Sequence, residues 1–261
     1  MPSAYDRHAL LVYHDEAVRS AQLASFATRG LERGEVVLCT AAAEDGAFEE
    51  YLAAWGTDVA RTVGTGQLRR VSLGELFSAG GLTGYVTGVL QGGYPGVRVC
   101  GNAASSAAHL GLEAMWAAEQ EMDRLCDTLP VAALCHFDAE AAQSQQRVRE
   151  LVAAHPQAVR TDTMLLTRSG ERVQLDGEVD LSSAPVLEAA LQQCADGTGG
   201  RSVLVDLTKL IFIDIAGYDA LLRGTDQFRA HGGTLVLRGD GPGLQVLDLL
   251  GMRERDDVLF I

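Results

Sequence analysis

Residues 206–224 read DLTKLIFIDIAGYDALLRG, and this stretch decides the fold of the second half of the chain. An apolar strand is predicted to end at Asp206, with a short turn after it. Asp214 and Gly217 then stand at the start of an amphipathic helix. One face of that helix carries apolar and small side chains at helical spacing: Tyr218, Leu221, Leu222, Thr225 and Phe228. The positive end of the helix dipole makes such a start a suitable place for a charge, a phosphate or a partner.

Three further blocks flank this stretch, namely GEVDLSSAP at 177–185, GGTLVL at 232–237 and LDLLGM at 247–252. Taken in order, the four blocks resemble the STAS domain of anti-sigma factor antagonists. The core of that family reads as a strand ending in Asp-Leu, a turn, then Phe-hydrophobic-Asp-Ser-Ser/Thr-Gly and a helix. The resemblance implies a small α/β domain that binds an anti-sigma factor, an ATPase of the histidine-kinase-like class.

The sequence departs from the family at the position that usually carries its switch. In the family, the residue directly after the motif aspartate is a phosphorylated serine. Here that position is Ile215, followed by Ala216, and neither side chain has a hydroxyl group. A phosphate would add about 1.5 to 2 negative charges at the helix N-terminus. We therefore expect no kinase-controlled switching here, with Asp214 either supplying negative charge or acting only as a helix cap.

The motif positions and the turn before them are the expected partner contacts, with Ile215 as a fixed apolar contact. These residues are Asp180, Ser182, Asp214, Ile215, Ala216, Gly217 and Tyr218.

Composition sets the outer limits on function. Hydrophobic residues make up 47% of the 261 residues, so the chain supplies a globular core. The net charge of −14 argues against direct nucleic-acid binding, which needs a basic surface. No apolar run is long enough to span a membrane, and the N-terminus does not resemble a signal peptide, so we expect a cytoplasmic protein.

The five cysteines are odd in number and widely spaced: Cys39, Cys100, Cys126, Cys135 and Cys194. We interpret them as small core residues in a reducing compartment. No CxxC pair or closely spaced histidine pair occurs, so the sequence predicts no metal site, and it gives no sign of a cofactor.

Strands and helices alternate through the first half of the chain. Apolar runs at 9–13, 36–40, 97–100 and 131–137 are predicted strands, and a helix from about 17 to 29 is predicted to end at Gly30. This alternation predicts a parallel sheet with helices on both faces. The glycine-rich stretch 79–96 is interpreted as a loop, with a lid over a pocket as the alternative. Glu119 is interpreted as a solvated acid on a helix.

The N-terminal half resembles the MEDS sensory domain, which is related to the RecA/KaiC-like ATPase fold. The motifs that carry this resemblance are HALLVYHDE, GLERGEVVLC, VRVCGNAA, LCHFD and AHP. The resemblance implies a RecA-like sensory domain over residues 1–158, followed by the STAS domain over 159–261. The loop after the first strand has two acids and no glycine, and the only lysine is Lys209, so we do not expect ATP hydrolysis by a P-loop.

Parallel sheets bind ligands at the carboxyl ends of their strands. The resemblance implies a small-molecule ligand of undefined class at that edge. The candidate ligand-binding residues, each of which could instead serve a turn or cap, are His14, Asp15, Glu16, Thr40, Gly101, Asn102, His136 and Asp138.

Three classes of function are weighed. The leading hypothesis is a non-enzymatic regulator, in which a sensory domain is coupled to an anti-sigma factor antagonist domain and so controls sigma-dependent transcription. The alternative is a STAS-mediated scaffold or homo-oligomeric assembly without partner switching. An ATPase or phosphotransferase is disfavoured by the missing P-loop and the missing hydroxyl at Ile215.

Overall fold

A computed structural model describes residues 7–261 apart from 41–45, 79, 143, 198 and 200. By its internal contacts the chain divides into two compact units, Met1–Ala141 and Ala142–Ile261. Both units combine helices with a sheet that is mostly parallel, so the α/β class predicted from the sequence is confirmed. In the described part of the chain, no helix combines the length and the apolar character that crossing a bilayer requires.

The first unit contains five strands: β1 (His8–Tyr13), β2 (Val36–Thr40), β3 (Leu68–Val71), β4 (Val97–Asn102) and β5 (Val131–Asp138). Its helices are α1 (Glu16–Glu32), α2 (Gly46–Ala54), α3 (Val59–Gly64), α4 (Leu73–Leu76), α5 (Gly81–Gln91), α6 (Ala103–Leu110) and α7 (Leu112–Thr128). The strands pair in parallel in the order β1-β5-β4-β2-β3. Strand β3 was not among the sequence-based predictions, because its LRRV sequence carries two arginines.

Strand β4 shows how both faces of this sheet are covered. Val97 and Val99 join the apolar cluster formed with α5 and α7. Arg98 points to the opposite face, where its guanidinium group lies over the Phe26 ring of α1 at 4.6 Å and its Nε donates to Glu35 Oε2 at 2.6 Å. Successive side chains of a strand point to opposite faces, so helices cover the sheet on both sides, as predicted.

Arg98 also explains why the prediction that helix α1 ends at Gly30 is wrong. The helix continues to Glu32. A Cβ atom at Gly30 would lie 2.4 Å from Arg98 Cδ, so the glycine makes room for a buried arginine inside the helix. Glycine here serves packing and not termination.

The interpretation of 79–96 as a loop is wrong for the greater part of that stretch. Residues Gly81–Gln91 form helix α5. Leu82, Val86 and Val89 recur at helical spacing and are buried in the core. Burial of this apolar face outweighs the cost of about 1 kcal/mol per glycine within the helix.

The second unit contains the strands β6 (Ala158–Arg160), β7 (Met164–Ser169), β8 (Arg172–Val179), β9 (Ser202–Ile213), β10 (Thr234–Arg238) and β11 (Val258–Phe260). Its helices are α8 (Gln145–Ala154), α9 (Ala184–Asp196), α10 (Ile215–Arg223), α11 (Asp226–Ala230) and α12 (Pro242–Leu249). The strands follow chain order, with β6-β7-β8 antiparallel and β8-β9-β10-β11 parallel. Helix α8 packs on α9 within this unit.

The turn predicted after Asp206 does not form, because β9 runs without interruption to Ile213. Asp206 is instead buried within the strand, where Arg172 and Thr208 donate hydrogen bonds to its carboxylate. Partner strand β8 accommodates the long β9 with register shifts, one of them between Gly177 and Glu178.

Candidate functional site

The expected partner contacts of the second unit meet at the carboxyl ends of two neighbouring strands. Val179 of β8 pairs with Ile213 of β9, and Asp180 and Asp214 directly follow this pair. The Asp214 amide donates to the Val179 carbonyl at 3.1 Å, which ties the two strand ends together. Parallel pairing therefore brings the 180–182 turn beside the start of helix α10.

Asp180 organises the turn before helix α9. Its Oδ1 accepts hydrogen bonds from the Ser182 amide at 3.0 Å, the Ser182 hydroxyl at 2.6 Å and the Ser183 amide at 3.1 Å. Burial acts to raise the pKa of Asp180, but the bonds from both serines outweigh it and lower the pKa. The carboxylate therefore stays ionised, and the exposed Ser182 hydroxyl donates to it.

Asp214 caps helix α10, with its Oδ1 accepting from the Gly217 amide at 2.9 Å. Gly217 is needed for a different reason. A Cβ atom there would lie 2.7 Å from Cγ1 of both Ile213 and Val179, so only glycine lets the helix approach the strands this closely. Ala216 and Tyr218 are half-buried on the same first turn.

The residues around these strand ends expose large apolar side chains. Ile215 is 67% exposed, Leu181 is 76% exposed and Phe212 is 44% exposed. Ile211, in the last part of β9, is 63% exposed. Large apolar side chains exposed on neighbouring segments make these strand ends a candidate protein-binding surface. We name Leu181, Ile211, Phe212 and Ile215 the apolar edge.

The structure gathers part of the predicted ligand set of the first unit. Asn102 of β4 pairs with His136 of β5, and Asn102 Nδ2 lies 3.5 Å from His136 Nδ1. The Thr40 hydroxyl donates to the Cys100 carbonyl at 3.1 Å and lies 3.4 Å from the Asn102 amide. Gly101 lies between these groups on β4. These four residues therefore meet at the carboxyl edge of the sheet.

The other four members of that set lie in turns and caps or beside them. Asp15 caps helix α1 by accepting from the Ala17 amide at 2.7 Å. Glu16 accepts from Arg19 Nε at 2.5 Å, and Asp138 accepts from the Glu140 amide at 2.9 Å. His14 is exposed directly after β1.

His136 is held in its neutral form. Burial and the positive charge of Arg19 lower its pKa to about 3. The Tyr13 ring lies 5.9 Å from the imidazole, and Arg19 lies over that ring at 5.7 Å. Burial, with a smaller effect from Glu16, raises the pKa of Tyr13 to about 12. At neutral pH both rings are uncharged aromatic groups.

A small cavity of about 40 Å³ lies beside Thr40 and Gly101. Its wall is largely apolar and includes Leu82 and Met115, which limits an occupant to a single small group. Glu119 and Cys135 also line it. A second cavity, of about 210 Å³, lies at the amino ends of the strands, opposite the first. Its wall includes Arg7, Arg33 and Arg98, and the sequence did not predict a cavity at this position.

Sequence reasoning missed a cluster of ionisable groups around Glu119. The interpretation of Glu119 as a solvated acid is wrong, because the residue is 6% exposed. Its Oε2 lies 3.2 Å from His8 Nε2 and accepts from Cys135 Sγ at 3.3 Å. His8 Nδ1 lies 3.4 Å from Asp123 Oδ1.

These contacts shift the pKa of both partners of Glu119. Burial acts to lower the pKa of His8, but Asp123 and Glu119 outweigh it and raise it. Burial, with the charge of Glu119, raises the pKa of the Cys135 thiol above its usual range. The sequence signal was available, because Glu119 lies at helical spacing between the buried Met115 and Met122.

The comparisons with known proteins fit this geometry. A family model described as "MEDS: MEthanogen/methylotroph, DcmR Sensory domain" matches residues 7–156, more than half of the chain, and the protein therefore belongs to the MEDS family. A second model, described as "Mlab, STAS domain", matches residues 164–259. Both resemblances drawn from the sequence are confirmed, and the chain is a STAS-containing signalling regulator with a sensory domain.

Two solved structures are similar to parts of the chain. One is the crystal structure of an anti-sigma factor antagonist from Mycobacterium paratuberculosis, with 21% identity over 37% of this chain and 84% of that chain, and a TM-score of 0.32. The other is the KaiC-like protein PH0186 from Pyrococcus horikoshii OT3, with 16% identity over 68% of this chain and 80% of that chain, and a TM-score of 0.45. No match is found among curated proteins.

Proposed function

We propose that this protein is a cytoplasmic, non-enzymatic antagonist of an anti-sigma factor whose STAS domain, residues 159–261, cannot be turned off by phosphorylation. The partner is an anti-sigma factor of the histidine-kinase-like ATPase class. The observation that carries the proposal is Ile215, an exposed aliphatic side chain at the start of helix α10 where the family carries its phosphorylated serine.

The surroundings of Ile215 support this role. Asp214 and Asp180 are each committed to their own turn, so both charges are fixed in place beside the apolar edge. An apolar centre with fixed charges at its rim is the common anatomy of a protein interface. Binding of the anti-sigma factor would release its sigma factor for transcription.

Input is proposed to come from the sensory domain, residues 1–158. The grouping of Thr40, Gly101, Asn102 and His136 at one sheet edge supports a ligand site there. A neutral His136 and an apolar cavity favour a small uncharged ligand over a polyphosphate. Ligand binding would change the affinity of the STAS domain for its partner, a coupling of about 1–3 kcal/mol in typical allosteric proteins.

The test is titration calorimetry of the full chain against purified anti-sigma factors of the kinase-like class from the source cell, with ATP present. Ile215 exposes two thirds of its surface, and full burial of an isoleucine contributes about 1.5–3 kcal/mol, so Ile215→Ala should lose about 1–2 kcal/mol of binding. That loss weakens the Kd roughly 5- to 30-fold. Ile215→Asp should weaken it further, because a charge then faces the apolar contact.

Leu249→Ala provides the matched control, because Leu249 is 87% exposed and lies on a different helix, α12. It should leave the Kd unchanged. Mass spectrometry of the 206–224 peptide after incubation with the kinase-like factor and ATP should find no phosphate. Equal effects of the two alanine variants, or phosphorylation of this peptide with loss of the complex, would contradict the proposal.

Self-assembly is the second candidate, favoured by the same apolar edge, since exposed apolar side chains also suit a second copy of the chain. Light scattering across a concentration series separates the two functions. A mass above the monomer that Ile215→Asp reduces would support assembly.

A further inference from the structure

The buried cluster around Glu119 contains three different metal-ligating groups on three different elements. His8 is the first residue of β1, Cys135 lies on the neighbouring β5, and Glu119 lies on helix α7. His8 is fully buried, and Glu119 and Cys135 are 6% and 7% exposed. An imidazole, a carboxylate and a thiol from distant parts of the sequence thus meet away from water. None of these three residues belongs to the ligand set predicted from the sequence.

The distances among the three donor atoms match one cation at their centre. Nε2 of His8 lies 3.2 Å from Oε2 of Glu119 and 3.6 Å from Sγ of Cys135. The remaining separation, from Sγ to Oε2, is 3.3 Å. A tetrahedral zinc ion with bonds of about 2.0–2.3 Å to N, O and S holds its ligand atoms about 3.3–3.6 Å apart. We propose that His8, Glu119 and Cys135 bind a divalent zinc-class cation in the sensory domain.

Asp123 supports the proposal from behind the histidine. It lies one helical turn after Glu119 on α7, and its Oδ1 is 3.4 Å from His8 Nδ1. The two atoms are within ion-pair distance but do not form a hydrogen bond. If the contact closes to a hydrogen bond when the metal binds, the carboxylate would fix the ring orientation and the tautomer that presents Nε2 to the metal, as zinc-binding histidines use it.

The charges of the cluster also suit a divalent cation. When such a cation binds, the Cys135 thiol proton and any imidazolium proton of His8 leave to solvent, so that a thiolate, a neutral imidazole and a carboxylate face the metal. The mixture of thiolate, imidazole and carboxylate favours zinc over calcium or magnesium, which prefer oxygen ligands.

The cation site adjoins the small apolar cavity, because Glu119 and Cys135 are part of the cavity wall. A small molecule in that cavity would therefore lie beside two of the metal ligands. The metal site stands independently of the STAS domain, so its test and the anti-sigma test fail separately.

The experiment measures metal binding by the full chain. The protein is stripped of metal with a chelator under reducing conditions and titrated with Co²⁺, which reports tetrahedral thiolate sites by its absorption. We expect one Co²⁺ per chain, a thiolate-to-cobalt charge-transfer band, and displacement of Co²⁺ by Zn²⁺. Cys135→Ser should abolish that band, and Asp123→Asn should weaken the affinity about 10- to 100-fold.

Cys100→Ser is the matched control, because Cys100 is similarly buried on the adjacent strand β4. It should retain the full absorption signal. Glu119→Gln removes a ligand charge at nearly constant shape, and circular dichroism verifies that each variant is folded. Substoichiometric metal, a cobalt complex without the thiolate band, or equal loss in Cys135→Ser and Cys100→Ser would each overturn the proposal.

Discussion

Gly177→Ala offers a sharp test of how the STAS fold is built, because it separates a steric clash from backbone strain. Gly177 has a φ of 92°, a conformation that favours glycine. A Cβ atom there would lie 2.3 Å from the Thr163 carbonyl oxygen. That oxygen accepts the Glu178 amide at 2.9 Å, so it cannot move away without weakening a hydrogen bond of the register shift in β8.

The expected cost of Gly177→Ala has two parts. The positive φ costs an alanine about 1–2 kcal/mol. The clash with a backbone atom adds about 1–3 kcal/mol, the usual range for overpacking. Gly232→Ala should show only the cost of the positive φ, because Gly232 has a φ of 88° and no atom lies within 4 Å of its Cβ position.

Both glycines lie in the second unit, so the two variants are compared on the same unfolding transition. Urea unfolding followed by far-ultraviolet circular dichroism gives the free energy of unfolding of each full-length variant. We expect Gly177→Ala to be less stable than Gly232→Ala by about 1–3 kcal/mol. Equal losses would show that Thr163 moves freely, and the packing argument for this glycine would be wrong.

Three further predictions concern charged side chains. Burial acts to raise the pKa of Asp206, but hydrogen bonds, including one from Arg172, lower it overall. Asp206→Asn should therefore lower the free energy of unfolding by about 1–2 kcal/mol above about pH 5, and this difference should vanish as the pH falls through the lowered pKa. Urea unfolding across a pH series measures it. Glu35→Ala removes the carboxylate that lies 2.6 Å from Nε of the buried Arg98, and it should lower the free energy of unfolding by about 3 kcal/mol. A thermal midpoint equal to that of the parent protein would refute the importance of this pair. Asp214→Ala removes the cap of α10 and should cost about 1 kcal/mol, while Asp214→Asn should restore most of it in the same unfolding assay.

The features that could be predicted from the sequence are those set by the order of neighbouring residues along the chain. The blocks around Asp214 and Asp180 predicted two strand-to-helix turns, and parallel pairing alone placed them side by side. The same logic brought Asn102 and His136 together at one sheet edge. Whether these residues bind a partner or a ligand stays a prediction, because neighbourhood at a strand end does not identify what binds there.

The remaining features depend on contacts between distant residues. Gly30 was expected to end a helix, and only the position of Arg98 explains why it does not. Helix α5 was missed because its glycines outweighed the spacing of its buried side chains in the interpretation. Glu119 was interpreted from its helix alone, whereas its environment is set by His8 and Cys135, each more than ten residues away in sequence.

The burial of every cysteine gives the chain a built-in reporter of opening. The thiols of Cys39, Cys100, Cys126, Cys135 and Cys194 are all buried. Burial raises the pKa of Cys126 to about 12 and raises that of Cys194, so few reactive thiolates exist in the folded protein. Alkylating reagents can therefore label this protein only as it unfolds. Since Cys194 is the one cysteine of the second unit, the order in which labels accumulate would tell which half opens first.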